Sequence, residues 1–329
     1  FGSRDVEFTL CCLVRAKMDL IEFLKKFKVK DLPLPKSLVT LKQSSDGLYS
    51  AIQALTQHHL LSAPVVDDSG KLVGMLDTLD IAAHVVDMEA AGKKKLVNER
   101  LDKIIGRGSP RTGRSICTAE LEEDLAQVVE NISGIHRRAV VLQDGQPVSI
   151  ITHSTIITFM SSKLAELEAL LGTRVAQDVC TNGVITIDDS ATALTAFQTL
   201  VTKGVSSLAI TDEDGIAITV VSATDLVMAL GHEEDKSAVI SDLRSRNVVF
   251  FVGDSRKPDR AFSHTRAPII SVTLETPLPQ VIEKFATTRV HRMLVMATDS
   301  RKPVGILSLQ DICKHFSCGK SEGQPAPSV

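Results

Sequence analysis

Apolar positions along this chain fall into one phrase that is used four times. Each phrase opens with a stretch of helical apolar spacing: Leu48 to Gln57, Leu121 to Ile132, Ala191 to Thr202 and Leu278 to Thr287. A short apolar run follows, Ala63 to Asp67, Arg138 to Leu142, Ser207 to Thr211 or Met293 to Ala297. Next comes a polar turn, Asp68-Ser69-Gly70, Asp144-Gly145, Asp214-Gly215 or Asp299-Ser300. These residues tolerate tight-turn dihedrals, so each turn joins two strands into a hairpin. The second strand then hands over to a helix opened by a polar residue, within Val73 to Ile81, Val148 to Ile156, Ile218 to Leu226 and Val304 to Ile312.

The unit is therefore β-α-β-β-α and the fold class α+β. It divides the chain into an N-terminal helical extension (1–35), repeat one (36–88), repeat two (112–160), a linker helix (161–177) and repeat three (178–231). A connector (232–265), repeat four (266–317) and a flexible tail (318–329) complete it. The linker, Ser161 to Ala176, carries Leu164, Leu167, Leu170 and Leu171 among Glu and Lys and predicts an amphipathic helix. The long connector ends in the basic stretch Ser255 to Arg260, which reads as a mobile loop. Lys93 to Lys95 reads as a solvated face, and Leu10 to Leu24 as a packing or partner-facing helix.

Composition narrows the class. The chain is 43% hydrophobic and 23% charged, as folded domains are, and its net charge of −3 gives no global field for nucleic acid or an anionic membrane. The longest early apolar run, Phe8 to Val14, is too short to span a bilayer, and no cleavage signature follows it. Six cysteines at 11, 12, 117, 180, 313 and 318 form no Cys-x-x-Cys pair, which argues against zinc and a disulfide framework and fits a reducing compartment. No Walker A loop, Gly-x-Gly-x-x-Gly or zincin motif is present, so an enzyme acting on nucleotides is the least favoured class.

Four phrases carry a resemblance: Ile151-Thr152-His153 leading to Ile156 and Phe159, Ile135-His136-Arg137, Val290-His291-Arg292, and Gly305 to Ile312. With the four repeats, they make residues 36 to 316 resemble cystathionine-β-synthase-type (CBS) repeats, which pair into Bateman modules. Four such repeats and no other domain are similar to the gamma subunit of AMP-activated protein kinase and its yeast and plant relatives. The resemblance implies two Bateman modules, one-two and three-four, each paired through strands and helices and together forming a flat pseudo-symmetric disc. All four closing helices should start near its centre. It implies a non-catalytic regulatory subunit that binds AMP, ADP or ATP between paired repeats, with kinase catalytic and scaffolding subunits as partners. A cytoplasmic or nuclear location and homodimers by disc stacking go with it; no metal and no cofactor are implied. The alternative is a scaffold that binds nucleotide weakly or not at all.

The site residues follow from both readings. Ser222-x-x-Asp225 and Ser308-x-x-Asp311 fit capping boxes, which need no ligand. A carboxylate at a helix start can also accept from both hydroxyls of a ribose, and the resemblance assigns that role to Asp80, Asp225 and Asp311. Repeat two has Thr155 at this place, which cannot make the bidentate contact. Thr152, Thr155, Ser222 and Ser308 are candidates for phosphate or nucleotide contact. His136, Arg137 and Arg138, and His291 and Arg292, stand before strands in repeats two and four; a His-Arg pair recurring in one register suits a phosphate centre. Against the resembled pattern, Leu61-Ser62 and Ser154-Thr155 stand where basic residues are frequent, and Asp77 where Ser or Thr is usual. Fewer cations and an added carboxylate tilt the centre toward AMP or ADP over ATP.

Overall fold

The computed structural model describes residues 20–93, 95–108, 116–134, 136–256 and 269–317. In each repeat a lead strand runs parallel to the first strand of the hairpin, which pairs antiparallel with the second. Repeat one uses Leu41–Lys42, Ser62–Val66 and Leu72–Asp77. Repeat two uses Cys117–Glu120, Arg138–Gln143 and Gln146–Thr152. Thr186–Asp188, Ser207–Thr211 and Ala217–Ser222 form repeat three, and Ser271–Thr273, Arg292–Met296 and Pro303–Ser308 form repeat four. A parallel lead strand requires a crossover. The leading helices supply it: Leu48–Gln57, Leu125–Ser133, Ala193–Lys203 and Leu278–Thr288. The closing helices, Thr78–Ala90, His153–Ser162, Ala223–His232 and Leu309–Phe316, follow each hairpin. Asp144 and Gly145 take φ of 53° and 77°, the turn that matches strand twist in a two-residue hairpin.

Reciprocal arms define the modules. The segment before repeat one bridges to the start of repeat two's leading helix (Lys28 with Asp124), and the segment before repeat two bridges back to repeat one (Arg100 with Gly47). The same exchange joins Val175 to Pro277 and Asn247 to Thr192 in the second module. Backbone bonds fix these arms, among them Leu48 N–H to Glu99 O at 2.8 Å and Leu278 N–H to Arg174 O at 2.8 Å. Repeat four's sheet also gains Thr181–Asn182 as a fourth strand, although these residues precede repeat three's own lead strand.

Helix packing corrects one expectation. The helices do not pair one with two and three with four. Buried side chains of repeats one and three form one core, including Leu55, Val85, Phe197 and Leu226. Those of repeats two and four form another with residues 20–34, including Phe23, Ile156, Phe285 and Ile312. A small patch, Ala209 and Ala217 against Leu294, joins the sheets of repeats three and four. Arms and sheets thus hold each module, while helices join the modules, closing a ring in which every repeat meets two others. Apolar stripes on two helices of each repeat require this, because a three-stranded sheet alone cannot cover them.

Two further differences are local. The expected linker helix breaks at Lys163, leaving Leu164–Leu171 as a separate helix that ends at Gly172, where φ is 57°. The connector contains helices Lys236–Ser245 and Val248–Ser255, capped by Asp235 and Asn247, so Ser255, read as the start of a mobile loop, ends a helix instead. Lys94, the stretch Lys257 to Arg260, the tail, and most of Leu10 to Leu24 lie outside the described residues; residues 20–25 are helical. Among the described residues no helix is long and apolar enough to cross a membrane, and no cluster of metal-ligating side chains occurs.

Candidate functional site

Each closing helix begins with a polar residue that caps it, and the residue three further on returns a bond to the cap's N–H. In repeat four Ser308 Oγ accepts from Asp311 N–H at 3.3 Å, while Asp311 Oδ2 accepts from Ser308 N–H at 2.8 Å and from its hydroxyl at 2.6 Å. Asp225 Oδ2 accepts from Ser222 in the same way, at 2.7 and 2.9 Å. Asp77 N–H donates to Asp80 Oδ2 at 3.0 Å. In repeat two, Thr152 and Thr155 are hydrogen-bonded to each other at 3.1 Å, and so cap the helix without any carboxylate.

What happens to the second oxygen differs between repeats. Asp80 Oδ1 accepts from Gly108 N–H at 2.8 Å, beneath the segment that follows the arm of repeat two. A Cβ on Gly108 would come within 2.4 Å of the Leu79 carbonyl carbon, so only glycine permits this approach. Burial, and then the charge of Asp77, push the Asp80 pKa up to about 6. Asp225 Oδ1 accepts from Arg256 Nε at 2.6 Å and from Ser255 Oγ at 3.3 Å. Arg256 Nη2 reaches Asp225 Oδ2 at 3.1 Å and Val220 O at 2.6 Å, leaving Asp225 only 4% exposed. In repeat four the equivalent covering segment is Cys180 to Asn182, and Asp311 Oδ1 accepts no hydrogen bond among the described residues.

The basic residues of repeats two and four share one neighbourhood with the carboxylates. Arg292 has no ion pair among the described residues; burial and then Arg137 lower its pKa to about 10, against the opposing pull of Asp311 and Asp77. His291 keeps an exposed face, yet desolvation, then Arg292 and Arg138, lower its pKa. Arg138 forms an ion pair with Asp77 at 2.8 Å across the one-two module. His136 and Arg137 are half-buried. His153 is buried, its Nε2 lying 3.0 Å from Ile132 O, and desolvation first holds its pKa down to about 4.

The structure thus brings Arg137, Arg138, His291, Arg292 and Asp311 into one centre, with Asp77 added from repeat one. Thr152 and Ser308 cap their closing helices, while Thr155 accepts from Thr152 N–H and the Ser222 hydroxyl donates to Asp225 in the first turns of theirs. Asp80 and Asp225, expected to hold ribose, have both oxygens engaged by protein; each is covered by the segment leading into the next repeat. No hydrogen bond or ion pair ties Asp225 to the centre among the described residues. Sequence reading missed Arg256, Gly108 and the Asp77–Arg138 pair. A basic residue at the end of a connector was the only local signal for the first.

Four β-α-β-β-α repeats, coupled in pairs by exchanged arms around a basic centre built from repeats two and four with Asp77 of repeat one, define a paired-repeat module protein. The chain belongs to the CBS domain family: the family model matches residues 29–87, 175–232 and 262–317, together more than half of it. Repeat two falls outside these stretches yet has the same strand order and parallel-antiparallel pattern. The chain is 25% identical over 309 residues to the 5'-AMP-activated protein kinase subunit gamma of Kluyveromyces lactis, covering 88% of each. It is 21% identical over 353 residues to the SNF1-related protein kinase regulatory subunit gamma-like PV42b of Arabidopsis thaliana, covering 92% of this chain and 98% of the relative. A solved Methanocaldococcus jannaschii protein has the same fold. Its TM-score is 0.69 at 19% identity, over 88% of this chain and all of that one.

Proposed function

We propose that this chain is a non-catalytic regulatory subunit that binds one adenine nucleotide at repeat four and regulates a Ser/Thr protein kinase of the AMP-activated or SNF1-related type. One observation carries the site: among the described residues Asp311 Oδ1 accepts no hydrogen bond and the neighbouring Arg292 has no ion pair, whereas both oxygens of Asp80 and of Asp225 are engaged by protein. The free oxygen takes a ribose hydroxyl. Arg292, Arg137, His291 and His136 receive the phosphate, Arg by its planar fork. The kinase partner is supported by the similarity to yeast and plant kinase gamma subunits across most of both chains.

Titration calorimetry with AMP, ADP and ATP tests the binding, with one equivalent per chain expected. Activity of a SNF1-related kinase heterotrimer assembled with this chain, with and without AMP, tests the regulation. Absence of binding for all three nucleotides would leave the ring as a scaffold.

A further inference from the structure

The centre carries its own anion. Asp77 caps the closing helix of repeat one through Oδ1, which accepts from Leu79 N–H at 2.9 Å. Its Oδ2 lies 2.8 Å from Arg138 Nη2 of repeat two, and the two side chains are only 21% and 13% exposed. Capping needs a polar acceptor but not a charge, so Ser, Thr or Asn would serve the helix equally. The charge instead acts on the centre, where Asp77 also opposes the lowering of the Arg292 pKa.

Arg138 is only partly satisfied by this pair. Its Nε and Nη1 are buried without a hydrogen-bond partner among the described residues. A buried guanidinium with idle donors is costly, and an anion entering the centre would relieve it. Asp77 already occupies one edge of that guanidinium, so an incoming phosphate chain must share Arg138 with a fixed carboxylate. A singly phosphorylated ligand brings less charge to set against Asp77 and can be met by Arg292 and His291. A longer phosphate chain spreads its charge across the centre and meets the carboxylate.

We infer that Asp77 is a charge-selecting residue: an internal carboxylate that holds Arg138 and sets the preference of the centre for ligands of low phosphate charge. The inference rests on the proposed nucleotide site, but its mechanism is a competition for Arg138 that any polyphosphate would report.

The test is calorimetry on the full chain and on Asp77→Asn, with Asp77→Ser as a second variant; both keep an acceptor for the helix cap. AMP, ATP and inorganic tripolyphosphate are titrated at two salt concentrations. Removing the carboxylate should strengthen ATP and tripolyphosphate binding by about tenfold and change AMP binding by less than about threefold, with the gain shrinking as salt rises. If nucleotides bind the parent chain but the ATP-to-AMP ratio is unchanged in both variants, the inference is overturned while the nucleotide site stands. If no nucleotide binds but tripolyphosphate binding appears on removing Asp77, the charge competition stands and the nucleotide reading fails. If neither the chain nor either variant binds any anion, both fall.

Discussion

Replacing Arg256 with Ala should both loosen the fold and open a second site. The guanidinium makes two charge-assisted bonds to Asp225 and one to Val220 O, at 2.6, 3.1 and 2.6 Å. Breaking a buried ion pair from one side costs about 3–5 kcal/mol, because the remaining charge stays desolvated. Two features reduce that here. Arg256 is 34% exposed, so water screens its side of the pair, and Asp225 retains the Ser222 N–H and hydroxyl and the Ser255 hydroxyl. A loss of about 2 kcal/mol is the expected outcome, roughly 30-fold in the unfolding equilibrium, read by urea denaturation. Arg256→Lys should recover part of it, since an ammonium keeps the charge but not the two-pronged geometry. Asp225 also regains a free edge, so calorimetry should register a second equivalent of AMP. An Arg256→Ala chain of unchanged stability that still binds a single equivalent would refute the claim that Arg256 closes repeat three.

Gly108→Ala should cost about 1–3 kcal/mol, because the new methyl meets Leu79 and Asp80 backbone rather than a movable side chain; denaturation measures it. Asp80 and His153 give opposite pH slopes. The raised Asp80 pKa favours the folded state while the carboxyl is protonated, so its contribution is lost as pH rises from about 4 to about 6; His153, depressed to about 4, destabilises below the free value, so its contribution grows over about 4 to 6.5. Subtracting the pH–stability curve of Asp80→Asn from that of the parent should leave a falling curve, and subtracting His153→Gln a rising one, each spanning about 3 kcal/mol.

Local chemistry made much of this legible. Asp144-Gly145 and its counterparts announced the hairpins, and polar residues before apolar helices announced the closing helices with their caps. The family resemblance, rather than spacing, gave the ribose carboxylates their role. The failures are nonlocal. Which helices pack together depends on apolar stripes that look alike in all four repeats, so nothing in one stripe says that Leu55 shares a core with Phe197 rather than with a residue of repeat two. The engagement of Asp225 by Arg256 and of Asp80 by Gly108 joins residues about thirty positions apart, through connectors with no motif. The run Val248 to Val252 has too little polar contrast to announce a helix; Asn247, bonded to Val249 N–H at 2.9 Å, is what starts it.

In the proposed function Asp311 holds a nucleotide while the equivalent residues of repeats one and three do not. Calorimetric titration of AMP into Asp311→Asn, Asp225→Asn and Asp80→Asn tests it most directly. Asparagine keeps an acceptor for the Ser308 cap but removes the charge, so loss of ligand is separated from loss of the helix start. Asp311→Asn should weaken AMP by at least about tenfold, one charge-assisted bond of about 1.5–3 kcal/mol, while the other two variants leave affinity within about twofold. An affinity that survives Asp311→Asn, or that falls with Asp225→Asn or Asp80→Asn instead, would contradict it.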